Sequence, residues 1–322
     1  MKAAVLHKFG ETPRYEEFPE PIPGLDEVLI EVKAVAFENV DQMMAAGEHF
    51  ASKQFLSILP AIVGFDGIGE LPNGKLVGFS GMKAPYGAMA EKVVVPKTNT
   101  ISIPEGVDAT IAAALPASAL TSLFPLQWGA KIEKGETVLI NGATGVAGKL
   151  AIQIAKLLGA GRVIGTGRNE KSLKQVMDLG ADAVIHLKQS DEQLAHLFKK
   201  EAKNGYDIVI DFLWGHPTEI LIHTLIPEKI GHVDKHIRLV QVGSAAGETL
   251  SLPASSLRNS GLEIIGASKG LTPEAMSKST EQIWSWIAEN KLKMDIEKVA
   301  LKDIESVWNR TDFKGKRIVI VP

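Results

Sequence analysis

The sequence predicts an α/β protein, a doubly wound parallel sheet of six strands attached to a β-rich segment. Three observations lead there. The chain has 322 residues, long for one compact core, so two domains are expected. Beyond about residue 110, short apolar runs alternate with helical patterns. A glycine-rich stretch, Asn141-Gly142-Ala143-Thr144-Gly145-Val146-Ala147-Gly148, stands where a strand gives way to a helix.

The six strands follow in order. Thr137-Val138-Leu139-Ile140 is a short buried run. Val146, Leu150, Ile154 and Leu158 then recur at every fourth position, as on a helix face. Arg162 to Thr166 is the second strand, and Lys171 to Leu179 is a helix capped by Gly180. Ala183 to His186, Ile208 to Asp211, Ile237 to Val242 and Glu263 to Gly266 supply the rest. Helical patterns at 192–202 and 218–225 separate most of them, as parallel crossovers require.

The first third reads differently. Val28 to Ala36 alternates, Pro72-Asn73-Gly74 is a turn, and Tyr86 to Pro96 ends in three valines. Its many prolines favour short strands and loops over long helices. Near the end, a helix is expected around Glu274 to Glu289, followed by the strand Arg317 to Val321. A six-stranded sheet has no place for that strand, so a return to the first domain is an alternative.

Composition removes several classes of function. Net charge is −3 and charged residues make up 23%, so there is no basic footprint for nucleic acid or an anionic membrane. The absence of cysteine excludes disulfides, thiolate nucleophiles and cysteine-held zinc or iron–sulfur sites. The opening apolar run breaks at His7-Lys8, too short for a signal-peptide core, and no uninterrupted apolar stretch reaches membrane-spanning length. A cytoplasmic protein without membrane or nucleic-acid partners is expected.

The glycine loop carries the strongest chemistry. Glycines let the backbone turn sharply and admit a pyrophosphate, which exposed amides and the helix dipole stabilise. A tight turn without a ligand would need no second strand after the helix, whereas strand, loop, helix and strand occur here in order. A nucleoside triphosphate loop fails on spacing, because five residues separate Gly142 from Gly148 and Leu150 follows Lys149. None of Tyr15, Tyr86 or Tyr206 has a lysine four residues on, as a short-chain reductase would.

Cofactor choice is read at the end of the second strand. An NAD site usually places an acid there for the ribose hydroxyl. The strand runs instead into Gly165-Thr166-Gly167-Arg168-Asn169, with Lys171 close behind. Arg168 and Lys171 are either solvated surface charges or partners of a 2′-phosphate, and the missing acid favours NADPH.

Further motifs carry a family resemblance. They are Ala112-Ala113-Ala114-Leu115-Pro116, Leu120-Thr121, Ala151-Ile152-Gln153-Ile154-Ala155-Lys156 and Leu179-Gly180-Ala181-Asp182. Tyr206-Asp207-Ile208-Val209-Ile210-Asp211, Arg238-Leu239-Val240-Gln241-Val242-Gly243 and Gly315-Lys316-Arg317-Ile318-Val319 continue the pattern. Together with the glycine loop, they resemble the zinc-free quinone oxidoreductase (zeta-crystallin-like) branch of the medium-chain dehydrogenase/reductase superfamily, over nearly the whole chain.

The resemblance implies a GroES-like β-rich catalytic domain from residues 1–118 and 267–322, and a Rossmann NADPH-binding domain from 119–266. It implies an active-site cleft at their junction and a homodimer, for which the strand at Glu263 to Gly266 is the expected edge. Carried over, Thr121 lies near the nicotinamide, Ala143, Thr144, Gly145, Val146, Ala147 and Gly148 hold the pyrophosphate, and Lys171 faces the 2′-phosphate. Gly167 and Arg168 border that phosphate, and Gly243 and Ser244 sit beside the cofactor.

Zinc-dependent relatives place a cysteine three residues before an aspartate and a Gly-His-Glu downstream. Here those positions are Glu38 before Asp41, and Gly64-Phe65-Asp66, so no metal is expected. Quinone reductases often carry asparagine and tyrosine where this chain has Glu38 and Met43. Glu38 either donates a proton as a shielded carboxyl, or pairs with a nearby lysine or caps a loop. His49 is read as a loop histidine or a proton donor. His232 and His236, spaced by four with Asp234 between them, could share a metal on a helix but are read as surface residues, and Trp284 and Trp286 as core or interface.

The expected function is hydride transfer from NADPH to a quinone, an α,β-unsaturated carbonyl or a related carbonyl compound. A non-enzymatic NADPH sensor or crystallin-like protein is the alternative, as is a carbonyl reductase with another acceptor.

Overall fold

A computed structural model describes residues 1–203, 205–226, 235–310, 313 and 315–322. The chain opens with strands β1 (Lys2–Leu6), β2 (Arg14–Glu17) and β3 (Glu27–Phe37), then helices α1 (Asn39–Ala46) and α2 (Ser52–Phe55). Strands β4 (Ala61–Ile62), β5 (Asp66–Glu70), β6 (Leu76–Ser80), β7 (Lys92–Pro96) and β8 (Thr100–Ser102) follow. Helix α3 (Ala109–Phe124) leads into β9 (Thr137–Asn141), α4 (Val146–Leu157), β10 (Arg162–Gly167), α5 (Glu170–Asp178) and β11 (Ala183–His186). Next come α6 (Asp191–Ala202), β12 (Ile208–Asp211), α7 (Gly215–Thr224), β13 (Ile237–Gln241), α8 (Ala254–Arg258) and β14 (Leu262–Gly266). The described chain closes with α9 (Pro273–Ala288), β15 (Ile296–Ala300), α10 (Ile304–Trp308) and β16 (Arg317–Val321).

Two compact units result, Met1–Ala117 with Asp295–Pro322, and Ser118–Met294. In the first unit a sheet runs β15-β16-β3-β5-β6-β8, with β7 also paired to β3. A smaller sheet runs β2-β1-β4. In β3, Ile30 and Val32 are buried while Glu31 between them is exposed, the alternation of a half-buried strand. The terminal strand β16 belongs here. It pairs antiparallel with β3, Ile318 opposite Phe37, and parallel with β15. Trp308 packs its ring 5.1 Å from that of Phe37 in the same core.

The second unit is the expected doubly wound sheet, parallel throughout, in the order β11-β10-β9-β12-β13-β14. Strands β9 and β12 read as continuous apolar runs because helices cover both faces of such a sheet. Helix α4 turns Leu150, Ala151, Ile154 and Ala155 inward. Phe198 of α6 and Tyr206 are wholly buried, and the Tyr206 hydroxyl donates to the Phe198 carbonyl at 2.7 Å. Strand order reverses between β9 and β12, and β14 forms one edge.

Two expectations need correction. Residues 267–294 lie with the second unit, not with the returning segment. The reason is side-chain docking that follows the last strand. Trp128 Nε1 donates to the buried Ser279 Oγ of α9 at 2.9 Å. Gln153 of α4 holds both peptide groups of Lys293, accepting its N–H at 2.8 Å and donating to its carbonyl at 2.9 Å. Second, Ala109–Gly129, α3 with a following π-helical turn, is long and apolar enough to cross a membrane. Reading only uninterrupted apolar runs missed it, because Pro116, Ser118, Thr121 and Ser122 punctuate the stretch. Its most apolar window is 61% buried inside the protein, and a core helix of a globular domain has the same character.

The α9 docking bond gives the first prediction. Trp128→Phe leaves the buried Ser279 hydroxyl without its donor and destabilises the second unit by about 1–2 kcal/mol. Denaturant midpoints for Trp128→Phe, Ser279→Ala and the pair check this. The double variant should be little worse than Trp128→Phe alone, and fully additive losses would show that the contact does not couple α9 to the unit.

Candidate functional site

Strand β9 ends at Asn141, and the chain turns at Gly142 with φ 90°, a conformation natural to glycine. Gly148 permits the next step. A Cβ there would lie 2.3 Å from the Gly142 carbonyl oxygen, so α4 can cross the turn only without a side chain. Gly145 is the N-cap of α4, and the Lys149 N–H makes an intrahelical bond to its carbonyl at 2.9 Å. The amides of Val146, Ala147 and Gly148 precede that bond and have no acceptor within the helix. Thr144, Gly145, Val146 and Ala147 keep accessible surface, and their position suits an anion.

Ala143 differs from its expected role. It is wholly buried, and its N–H already donates to the Thr166 carbonyl at 2.8 Å. It packs the floor of the loop and has no amide left for a phosphate. Gly148 is buried as well, so its main contribution is the close crossing.

The remaining expected residues gather at the same end of the sheet. Gly167 closes β10 against the loop, since a Cβ on it would stand 2.3 Å from the Thr144 methyl. Arg168 and Lys171 are exposed just beyond. Asn169 between them is committed to capping α5, its side chain accepting the Ser172 N–H at 2.9 Å. The nearby acid is Glu170, exposed in the first turn of α5 and not at the strand tip. Gly243 donates its N–H to the Asp211 carbonyl at 3.1 Å, and a Cβ on it would press the Phe212 carbonyl at 2.8 Å. The Ser244 hydroxyl donates to Glu248 at 2.6 Å.

Thr121 is exposed on α3, with its hydroxyl donating to the Ser118 carbonyl at 2.8 Å. Its neighbour Ser122 was not singled out from sequence. That hydroxyl is buried and donates to the Ala147 carbonyl at 2.8 Å, which ties α3 to the first turn of α4. A serine in an alanine-rich helix is the signal it leaves in the sequence.

Glu38 lies in the first unit. It is the N-cap of α1, and its own N–H donates to the Asp41 carboxylate at 2.8 Å. Because Ile318 faces Phe37, strand register sets Arg317 beside Glu38, and the guanidinium meets Glu38 Oε1 at 3.0 Å. The structure gives Glu38 an ion pair and a cap, but the cation is Arg317 and not the expected lysine, because strand pairing brings the closing strand to this end of β3. Asp41 is buried, which pushes its carboxyl well above the ordinary range, with the charges of Glu38 and Asp66 adding to the rise. Asp66 opens β5 as a surface-exposed residue, yet the protein atoms crowded around its carboxyl first and the Glu38 charge second raise it to about 6, with Arg317 opposing. Among the described residues no three histidine, aspartate or glutamate side chains group as metal ligands would.

The other candidates are local. His49 Nδ1 accepts the Ala51 N–H at 3.3 Å, a loop contact. His236 pairs with Glu263 at 3.1 Å, while His232 and Asp234 lie outside the described residues. Trp286 is a buried core residue, and Trp284 is half-buried.

Comparison with known proteins agrees with this geometry. Residues 147–289 match the family described as zinc-binding dehydrogenase. An NAD-dependent alcohol dehydrogenase of Sulfolobus acidocaldarius is 28% identical across 84% of this chain and 85% of its own. A probable NADPH-dependent quinone reductase of Emericella nidulans is 25% identical over the whole of both chains. These likenesses place the chain close to the medium-chain dehydrogenases/reductases, and its similarity to quinone oxidoreductases runs over most of its length. The solved quinone oxidoreductase of Thermus thermophilus has the same fold as this chain, with a TM-score of 0.78 at 24% identity over all of both chains. The matched family segment starts within α4 and leaves out Glu38, Phe65 and Asp66, so its name brings no zinc ligand into this chain. The two named relatives differ in cofactor, which throws the choice of nicotinamide cofactor onto the residues around Gly167.

Asp66 sets a pH dependence. Its carboxyl titrates near 6 in the folded chain, against about 3.9 when unfolded. The neutral form is favoured by folding, so this contribution is whole below about pH 3.9 and is lost as pH rises through about 6. Asp66→Asn should therefore raise the thermal midpoint at about pH 7.5, and the advantage should shrink towards about pH 4.5. A difference that does not vary with pH contradicts the assignment.

Proposed function

We propose that this oxidoreductase uses NADPH to reduce a quinone, an α,β-unsaturated carbonyl or a related carbonyl compound, without zinc. The carrying observation is the pair Arg168 and Lys171, exposed beyond Gly167 where an NAD site would hold an acid. A guanidinium offers paired donors to a phosphate and the lysine adds a point charge. Asn169 is occupied with its helix cap, and Glu170 sits in the next turn.

The glycine loop fits the rest of that cofactor. The amides of Val146 and Ala147 and the α4 dipole suit a pyrophosphate, and Gly145 before them is exposed. NADPH, when bound, supplies the hydride. The chain's own work is to hold the phosphates, orient the ring and keep water out. The proton that balances the hydride can come from solvent, and Glu38 serves α1 and the ion pair with Arg317.

A panel of quinones, enones and aldehydes, each with NADPH or NADH, tests the reading. NADPH should be oxidised with at least one acceptor and should bind much more tightly than NADH. Arg168→Ala with Lys171→Ala should narrow the gap between the cofactors, at about 1.5–3 kcal/mol for each charged hydrogen bond lost. Equal affinities in the parent chain would defeat the cofactor assignment. Tight NADPH binding with no turnover of any acceptor would favour a sensor or structural protein. For Glu38, exchange to Gln should leave the rate and pH profile of hydride transfer unchanged while lowering thermal stability. A loss of turnover of ~10²-fold or more at unchanged NADPH affinity would make it the proton donor instead.

A further inference from the structure

Beneath the glycine loop lie four polar side chains, Asn141, Thr166, Asp211 and Thr218, all fully buried. They come from the ends of β9, β10 and β12 and from α7. Asn141 Nδ2 donates to Asp211 Oδ1 at 2.9 Å and to Thr218 Oγ1 at 3.1 Å. The Thr218 hydroxyl donates to Asp211 Oδ2 at 2.7 Å. The Thr166 hydroxyl donates to Asn141 Oδ1 at 2.7 Å, and its oxygen accepts the Gly142 N–H at 2.9 Å. The Thr166 carbonyl accepts the Ala143 N–H, so one residue holds two successive amides of the loop.

The chemistry of the groups leaves this network one direction. An amide oxygen only accepts, so the Thr166 proton points to Asn141 and a lone pair is left for Gly142. The Asp211 carboxylate accepts from Asn141 and Thr218, and also from the N–H groups of Leu213 at 3.0 Å and Trp214 at 3.2 Å. Trp214 has φ 55°, a left-handed backbone that a bulky residue adopts only under constraint. Leu213 in turn lies under the loop, since a Cβ on Gly142 would stand 3.0 Å from its methyl. The network thus joins the loops that follow β9 and β12, where strand order reverses and doubly wound sheets bind their ligands.

We infer that Thr166, oriented through Asn141 and Asp211, is a positioning residue for the dinucleotide, its hydroxyl setting the angle at which the loop enters α4. This rests on the NADPH reading above. Without the hydroxyl the partly buried Gly142 N–H loses its partner, the loop shifts to find another, and the Val146 and Ala147 amides move with it.

Calorimetric titration of NADPH into the full chain, well below the thermal midpoint, tests the inference. Thr166→Val keeps the shape and removes the hydroxyl, and Thr166→Ser keeps the hydroxyl. The valine variant should bind NADPH about 5–10-fold more weakly, and the serine variant should return to within about 2-fold of the parent. A purely structural hydroxyl would lower the thermal midpoint and leave the affinity unmoved, and parental affinity in Thr166→Val would overturn this inference alone. Should that variant be recovered unfolded, Thr166→Cys, with only a weak thiol donor, carries the same expectation. Failure of the parent chain itself to bind NADPH would overturn the cofactor reading and this inference together.

Discussion

The hydrogen bond between Asn141 and Asp211 spans the place where the second sheet changes direction. Strands β9, β10 and β11 step one way, and β12, β13 and β14 step the other. Parallel strands need crossovers, so the segments leaving β9 and β12 diverge to opposite faces and open a crevice between them. Two buried polar side chains close its base. Such a bridge is worth having only when every member is satisfied, because a buried donor or acceptor without a partner is costly. Thr166 and Thr218 complete it, and the turn at Gly142, the buried Ala143 and the direction of α4 are built on top.

The first unit has its own constraint, set by the antiparallel pairing of β16 with β3. That register brings Arg317 to Glu38 at the strand end, with Asp41 and Asp66 close enough for their charges to interact. One guanidinium faces three carboxyl groups, and desolvation works against ionisation of the buried Asp41 and of Asp66. By the family resemblance, Glu38 stands where zinc-dependent relatives carry a cysteine, and Asp66 follows the position of their histidine. Here a charge cluster fastens the start of α1 to the closing strand.

Legibility followed the range of the interaction. The strands and helices of the second unit could be read because their patterns repeat within a few residues, and the glycine loop because turn, cap and crossing each demand glycine at a fixed spacing. Helix α1 was hidden in a region whose prolines argue for loops, and its N-terminal contact is made by Glu38 and Asp41, not by the usual serine or threonine. Helix α9 was legible as a helix but not as part of the second unit, since Ser279 and Lys293 find Trp128 and Gln153 only in space. The role expected of Ala143 failed for the same reason. Its amide meets Thr166, a residue on the neighbouring strand.

The sequence by itself determined the doubly wound sheet, the loop that begins α4, the basic tip after β10 and the loss of cysteine and histidine at the zinc positions. Each is a local matter of residue type and spacing. Tertiary structure decided which loop amides remain free, which strand receives the C-terminal segment, and what Glu38 touches. Those outcomes depend on hydrogen bonds and ion pairs between residues far apart in the chain, whose meeting is set by strand order and register. No periodicity records such a meeting, because a threonine on β10 or an arginine opening β16 looks the same in sequence whether it faces water or a buried partner.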